Sequence, residues 1–350
     1  MRKISYADAV SSQPENLRRS LSGQLEVLAG LDQRWLPGET VGVVAMGAST
    51  HSGQALLTAL GQAGLRGVNI TASDLALMRE GFEPADHYVV VSESGLSPEP
   101  ISAAEKLAPG RRIGITNVPD APLSAVVDHV LPLGGFDDSA VYTIGYTATL
   151  LAYSRLLRAL TAGDEGQPGF FDSERIPALV SEVLANYSGA GPKAAEHLRE
   201  ARTVDFVGRG YSLASAGEGA LMFREALQLP TASFDTYQYL HGPMEPLGPS
   251  SGLVIFGDGR ELSLADSVLD AGVKVVLITA APGEAIARPQ HPNLMVVEIP
   301  TEATDFARAI VEAVIVHLIV GAVAENAGLA IQGFRYHQDD TKLQPVNRTA

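Results

Sequence analysis

Runs of valine, isoleucine and leucine only four to six residues long alternate along this chain with longer stretches of helix-forming composition. In the first half they fall at 41–45, 67–70, 87–91, 112–115 and 129–133, and in the second at 204–207, 231–234 (the weakest), 253–256, 274–278 and 294–299. A strand that is apolar without alternation must be covered on both faces. Crossover helices supply that cover, so the pattern demands parallel sheets in an α/β fold. Five runs recur in the same order in each half. The first of each five ends in a glycine turn with small hydroxyl residues, Gly47-Ala48-Ser49-Thr50 and Gly208-Arg209-Gly210-Tyr211-Ser212. The expectation is two doubly wound domains in tandem, each a parallel five-stranded sheet, from an old duplication. A helical segment would occupy 1–34, the first domain 35–162, a linker and helix 163–195, the second domain 196–328, and a polar tail 329–350. The linker is marked by Gly163-Asp164-Glu165-Gly166 and Pro168-Gly169.

The charge balance narrows the partners. Lys and Arg total 25 against 40 Asp and Glu, a net charge of −15 that repels phosphate backbones and anionic lipid, so neither nucleic acid nor membrane is expected. The absence of cysteine removes disulfides, thiolate metal sites and thiol nucleophiles. No apolar core follows the basic residues of the N-terminus, which therefore does not resemble a signal peptide. The apolar stretch 309–324 contains Glu312 and His317 and falls short of a membrane span. A cytoplasmic protein is expected.

Ligands of open parallel sheets bind beyond the carboxyl ends of the strands. The loop after the third run, Ser92-Glu93-Ser94-Gly95-Leu96-Ser97, sets three hydroxyls around a glycine directly before a helix that Pro98 can open. Helix-start amides and serine hydroxyls together can hold a phosphate without a lysine. The same serines serve equally well as plain helix N-caps. Neither glycine turn is followed by GK[ST], neither is GxGxxG, and the histidines show no metal-ligand spacing; no nucleotide, metal or other cofactor is expected.

Several ordered motifs resemble the sugar isomerase (SIS) domain family, above all the isomerase half of the glucosamine-6-phosphate synthases. They are Gln13-Pro14 with Leu17; Gly47-Ala48-Ser49; Ser92 to Ser97 with Glu99; Asn117-Val118-Pro119; Val141-Tyr142-Thr143; Gly208-Arg209-Gly210 with Glu218-Gly219-Ala220-Leu221 and Glu225; and His241-Gly242-Pro243. The resemblance covers nearly the whole chain and implies flavodoxin-like SIS domains. It further implies that Ser49, Thr50, Ser92, Glu93, Ser94, Gly95 and Ser97 surround a sugar phosphate and that Thr143 touches the sugar. Glu225 would move a proton between C1 and C2, chemistry that one carboxylate above an enediol can perform. Taken alone, Glu225 could equally be a solvated residue or pair with Arg224 or Arg209. His241 would help open the sugar ring, reaching the site from a neighbouring subunit and so implying a homodimer. Lys342, in a tail whose other residues match loosely, falls where the family keeps a lysine that forms an imine with the open ketose; a solvated tail lysine is the alternative.

Three departures bear on the chemistry. The family's second lysine, three residues before the glutamate, is Met222; the turn threonine is Ala48; and the glutamine of the phosphate loop is Glu93. A carboxylate beside a phosphate is unfavourable unless it turns towards a cation or a substrate amine. The expected function is therefore a phosphosugar isomerase or aminosugar-phosphate deaminase, with a fructosamine-6-phosphate deglycase as a close variant. Synthesis with ammonia from glutamine is not expected, because no glutaminase domain precedes the first run. A non-catalytic sugar-phosphate sensor is the rival of another class.

Overall fold

The computed structural model describes residues 2–161, 170–336 and 338–343. The expected linker at 162–169 lies outside the described residues, as do His337 and 344–350 of the tail. A first parallel sheet comprises β1 (Thr40–Ala45), β2 (Arg66–Thr71), β3 (His87–Val91), β4 (Arg112–Thr116) and β5 (His129–Pro132). A second comprises β6 (Thr203–Gly208), β7 (Thr231–Asp235), β8 (Ser251–Phe256), β9 (Lys274–Thr279) and β10 (Leu294–Glu298). All ten apolar runs are strands, the weak 231–234 included. The strand orders are β2-β1-β3-β4-β5 and, from the other edge, β7-β6-β8-β9-β10, one topology used twice. In each sheet the order reverses between the first and third strands, and there the following loops diverge and leave a crevice.

The helices are α1 (Tyr6–Ala29), α2 (Ala48–Gln62), α3 (Pro98–Lys106), α4 (Ile144–Thr161), α5 (Ile176–Asn186), α6 (Ala190–His197), α7 (Tyr211–Leu227), α8 (Thr236–Leu240), α9 (Arg260–Val268) and α10 (Asp305–Asn326). The repeat extends to backbone angles. Gly47 before α2 has φ 56° and ψ −133°, and Gly210 before α7 has φ 62° and ψ −127°. Side chains avoid that region, so each turn from first strand to helix requires glycine. Neither helix start carries a side-chain cap; instead Thr50 N–H donates to the Gly47 carbonyl (3.0 Å), and Ser212 and Leu213 N–H to the carbonyls of Arg209 (3.2 Å) and Gly210 (3.1 Å).

The two domains share one core. Helices α2 and α7, one from each half, pack against each other, and α10 lies among α7, α6, α4 and α5. Among the described residues α10 is long and apolar enough to cross a membrane, yet 78% of its apolar window is buried within the protein. A helix apolar on all sides is what the centre of a two-domain core needs. Its polar residues are accommodated individually. Glu312 accepts hydrogen bonds from the hydroxyls of Ser212 (2.9 Å) and Ser215 (2.7 Å) and from Arg308 Nε (2.8 Å). His317 faces Glu218 at 3.7 Å. Burial holds the imidazole down at about 3 and drives the Glu218 carboxyl far up, so both are neutral at ordinary pH.

Candidate phosphate cradle and carboxylate site

Strands β1 and β3 are neighbours, so the turn at Gly47 and the loop Ser92 to Ser97 open side by side. Ser49 and Thr50 lie in the first turn of α2, partly buried, and their hydroxyls form no hydrogen bond among the described residues. In the second loop Gly95 has φ +63°, and a Cβ there would lie 2.4 Å from that of Ala121. Only glycine lets the loop turn so tightly. The turn is closed by Gly95 N–H donating to the Ser92 carbonyl (2.9 Å), and the Glu93 carbonyl accepts from Asn117 N–H (2.8 Å) and the Thr116 hydroxyl (3.1 Å). With the backbone so held, the side chains are left for other partners. Ser92 Oγ is buried and has none.

The tail supplies a partner for two of the serines. Lys342 Nζ donates to Ser94 Oγ (3.0 Å) and Ser97 Oγ (2.8 Å), and Leu343 N–H donates to the Leu96 carbonyl (2.8 Å). Upstream, the Arg335 guanidinium reaches the side chain of Gln228 just past α7 (3.3 Å), so the tail runs from the end of α7 to the cradle. Burial lowers the Lys342 amine, while Glu93 and Glu99 pull it back up.

Glu93 turns inward. Asn117 Nδ2 donates to its Oε1 (3.2 Å), and Oε2 is buried with no hydrogen bond of good geometry among the described residues, the Tyr142 hydroxyl being the group near the carboxyl. Burial first, then the Asp138 charge, pushes its carboxyl up to about 7, with Lys3 and Lys342 acting against the rise. Tyr142 stands next to it, its phenol pushed up by burial, by the charges of Glu93 and Asp138, by a hydrogen bond to the Glu93 carboxyl and, more weakly, by Glu225. Glu225, in the last turn of α7, acts weakly on that phenol. It is partly buried, and that burial raises its carboxyl to about 7. Met222, one turn earlier, is a core residue at 1% exposure.

The remaining expected residues are placed differently. Thr143 is fully buried, and its hydroxyl is donated to Asp138 (3.1 Å), not presented to the cradle. His241 stands exposed in the turn after α8, its ring in no hydrogen bond or ion pair among the described residues. Sequence reasoning missed Asp138 and Lys3. Asp138 is completely buried and gathers the amides of Ser139 (2.7 Å) and Gly145 (2.9 Å) as well as Thr143, fixing the start of α4 under the site. Lys3 Nζ lies 3.9 Å above the Tyr142 ring and donates to the Ser139 carbonyl (3.1 Å). The acid-hydroxyl run Asp137-Asp138-Ser139 ahead of Tyr142-Thr143 was the signal available for the first; nothing local marks the second.

With that geometry in place, comparison with known proteins is informative. The family model for the SIS domain matches residues 197–324. Among curated proteins, the glutamine–fructose-6-phosphate aminotransferase (isomerizing) of Pyrobaculum aerophilum is 25% identical over 246 residues, covering 67% of this chain and 40% of that protein. The chain thus spans less than half the length of that relative. Among solved structures, the C-terminal domain of glucosamine-fructose-6-phosphate aminotransferase from Francisella tularensis superposes with a TM-score of 0.80 at 19% identity, covering 95% of this chain and 98% of that one. Glucosamine-6-phosphate deaminase of Thermotoga maritima gives 0.74 at 17% identity, covering 97% and 99%. The family model falls in the second half and the first half repeats its strand order, so the fold is that of two SIS-type domains in tandem.

Proposed function

We propose that this protein moves a proton between C1 and C2 of a phosphorylated sugar bearing an amine, acting as an aminosugar-phosphate deaminase or isomerase. The observation that carries the reading is a pair of carboxyls, Glu225 and Glu93, both raised to about 7 and both acting on Tyr142 beside a serine loop that holds an unpartnered Ser92 hydroxyl. Groups poised near neutral pH suit proton transfer, and partnerless buried polar atoms suit a ligand that supplies the missing bonds. In this reading Ser49, Thr50, Ser92, Ser94 and Ser97 bind the phosphate, with Lys342 as its counter-ion. Glu225 takes the proton from C2 and returns it to C1. The C2 amine becomes an imine, which water cleaves to a ketose phosphate and ammonia. Glu93 Oε2 accepts from that amine, which explains a carboxyl where a phosphate loop would otherwise exclude one.

His241 acts in ring opening from a second copy of the chain; its exposure leaves it available for that. The position of Lys342 among the phosphate serines favours a charge role over imine formation, so borohydride reduction with substrate present should leave the protein mass unchanged. The overall reading is tested in deuterated water by NMR, with hexose 6-phosphates, their 2-amino derivatives and phosphorylated fructosamines. Deuterium entering C1 or C2 of the 2-amino sugar, with ketose phosphate appearing, is the expected result. Turnover of the fructosamine alone would make the enzyme a deglycase. Phosphate-dependent binding with no exchange in any sugar would replace the enzyme with a sensor.

A further inference from the structure

The second domain has its own crevice at the corresponding place, beyond the carboxyl ends of β6 and β8, with a volume of about 440 Å³. It is lined by the turn at Gly210, by the loop after β8 and by one face of α2 from the first domain. Three arginines border it, and they are not equivalent. Arg308 is neutralised by Asp258 and Glu312. Arg209 is stacked over the Tyr237 ring at 4.8 Å and makes no ion pair among the described residues. Arg260 is exposed, and its one side-chain hydrogen bond among the described residues goes to the Ser263 hydroxyl on its own helix.

The acids of the crevice are spoken for. Asp258 accepts from Thr279 Oγ1 (2.8 Å) and Ala280 N–H (2.7 Å) besides Arg308, and Glu261 accepts from Thr236 Oγ1 (2.6 Å) and Gly259 N–H (3.2 Å). With Arg308 held between Asp258 and Glu312, the cations of the lining that make no ion pair among the described residues are Arg209 and Arg260, and the Gly210 turn into α7 stands beside them. In a chain of net charge −15, the crevice is a place where arginines match the acids in number.

We propose that this crevice is a second anion site, in which Arg209 and Arg260 hold a phosphate monoester of sugar-phosphate size. Guanidiniums pair with phosphate oxygens in a fork geometry, and the volume lies in the range of small-ligand sites. Nothing in the argument uses the serine loop, so the two sites stand or fall separately.

The test is calorimetric titration of the full chain with glucose 6-phosphate, with AMP and inorganic phosphate as parallel probes. Two occupancies per chain are expected for glucose 6-phosphate. The double substitution Arg209→Ala and Arg260→Ala should weaken one of them by about 30-fold or more, and Ser94→Ala should weaken only the other. Both arginines are exposed, so the fold is expected to survive; Arg209→Lys with Arg260→Lys keeps the charge and should restore part of the affinity. An arginine-dependent occupancy that persists when Ser94→Ala changes nothing would uphold this site while removing the serine cradle. A single occupancy indifferent to both arginines would overturn the proposal. So would arginine-dependent binding of AMP without that of glucose 6-phosphate, since it would assign the crevice to nucleotides.

Discussion

After β1 the chain turns at Gly47 and offers Ser49 and Thr50; after β6 it turns at Gly210, at nearly the same backbone angles, and offers Arg209 and Tyr211. After β3 come three serines around a glycine; after β8 comes Gly257-Asp258-Gly259-Arg260-Glu261. One scaffold thus carries neutral hydroxyls in one half and charged side chains in the other. At the second crevice Asp258 and Glu261 are bonded to their own neighbours, whereas at the first Ser92 Oγ and Glu93 Oε2 have no hydrogen-bond partner of good geometry among the described residues. The half with open valences is also the one that receives Lys342 from the tail, and its Tyr142 feels the charge of Glu225 in α7. The repeated topology gives two crevices, and the residues around them differ.

The sharpest way to break that division is Glu225→Gln. Loss of a general base should cut kcat about 10³-fold while leaving sugar-phosphate binding nearly intact; steady-state kinetics with a parallel binding titration checks both, and unchanged kcat would remove the second half from the reaction. Next in size is a backbone comparison. Gly95→Ala adds a clash with Ala121 to the strain of φ +63°, whereas Gly210→Ala, at φ +62°, meets only ordinary contact with Thr58 at 3.6 Å. Strain alone costs about 1–3 kcal/mol, so denaturant titration should find Gly210→Ala within that range and Gly95→Ala above it.

A smaller effect separates the serines. Ser94→Ala should raise KM for the phosphorylated sugar about 10-fold with little change in kcat, whereas Ser212→Ala, whose hydroxyl serves Glu312 in the core, should leave KM unchanged. Equal losses with an unphosphorylated sugar would sink the phosphate role of Ser94.

The mildest test uses pH. Glu93 and Glu225 keep protons in the folded state up to about 7 that the unfolded chain releases near 4.5. The stability they confer is therefore complete below the unfolded value and is lost as pH rises through 7. Replacing Glu93 with Gln should flatten this fall, gaining about 1–2 kcal/mol at pH 8 relative to the parent chain. Activity should run the other way, rising with pH through about 7 as Glu225 loses its proton.

The sheets were legible because their strands are buried on both faces, which forces uninterrupted apolar runs such as 87–91 and 274–278. Even 231–234, poor in valine and isoleucine, could be placed by its position in the repeat. The serine loop was legible because hydroxyls and a positive-φ glycine are local requirements. Contacts distant in sequence were not. Lys342 meets Ser94 across 248 residues, and the placement of Lys3 above Tyr142 depends on how the N-terminal strand segment docks beside Asp138. The second crevice did have a signal in Gly257 to Arg260, a glycine-rich turn where the other half keeps its serines, but its charges balance only once Asp258 and Glu261 are seen bonded to their own neighbours.

The bonds from Lys342 to Ser94 and Ser97 carry one more consequence. A serine hydroxyl is a rotor, able to accept with its lone pairs and donate with its proton at the same moment. An ammonium occupying the lone pairs of two such rotors steers their protons away from itself and polarises them, and hydrogen bonds joined in series strengthen one another. The strap thereby sets the polarity of the loop. With Lys342 docked, Ser94 and Ser97 become outward donors awaiting an acceptor; with the strap undocked, Ser94 Oγ keeps the Leu96 amide (3.3 Å) as a donor, while the Ser97 hydroxyl is released to point either way.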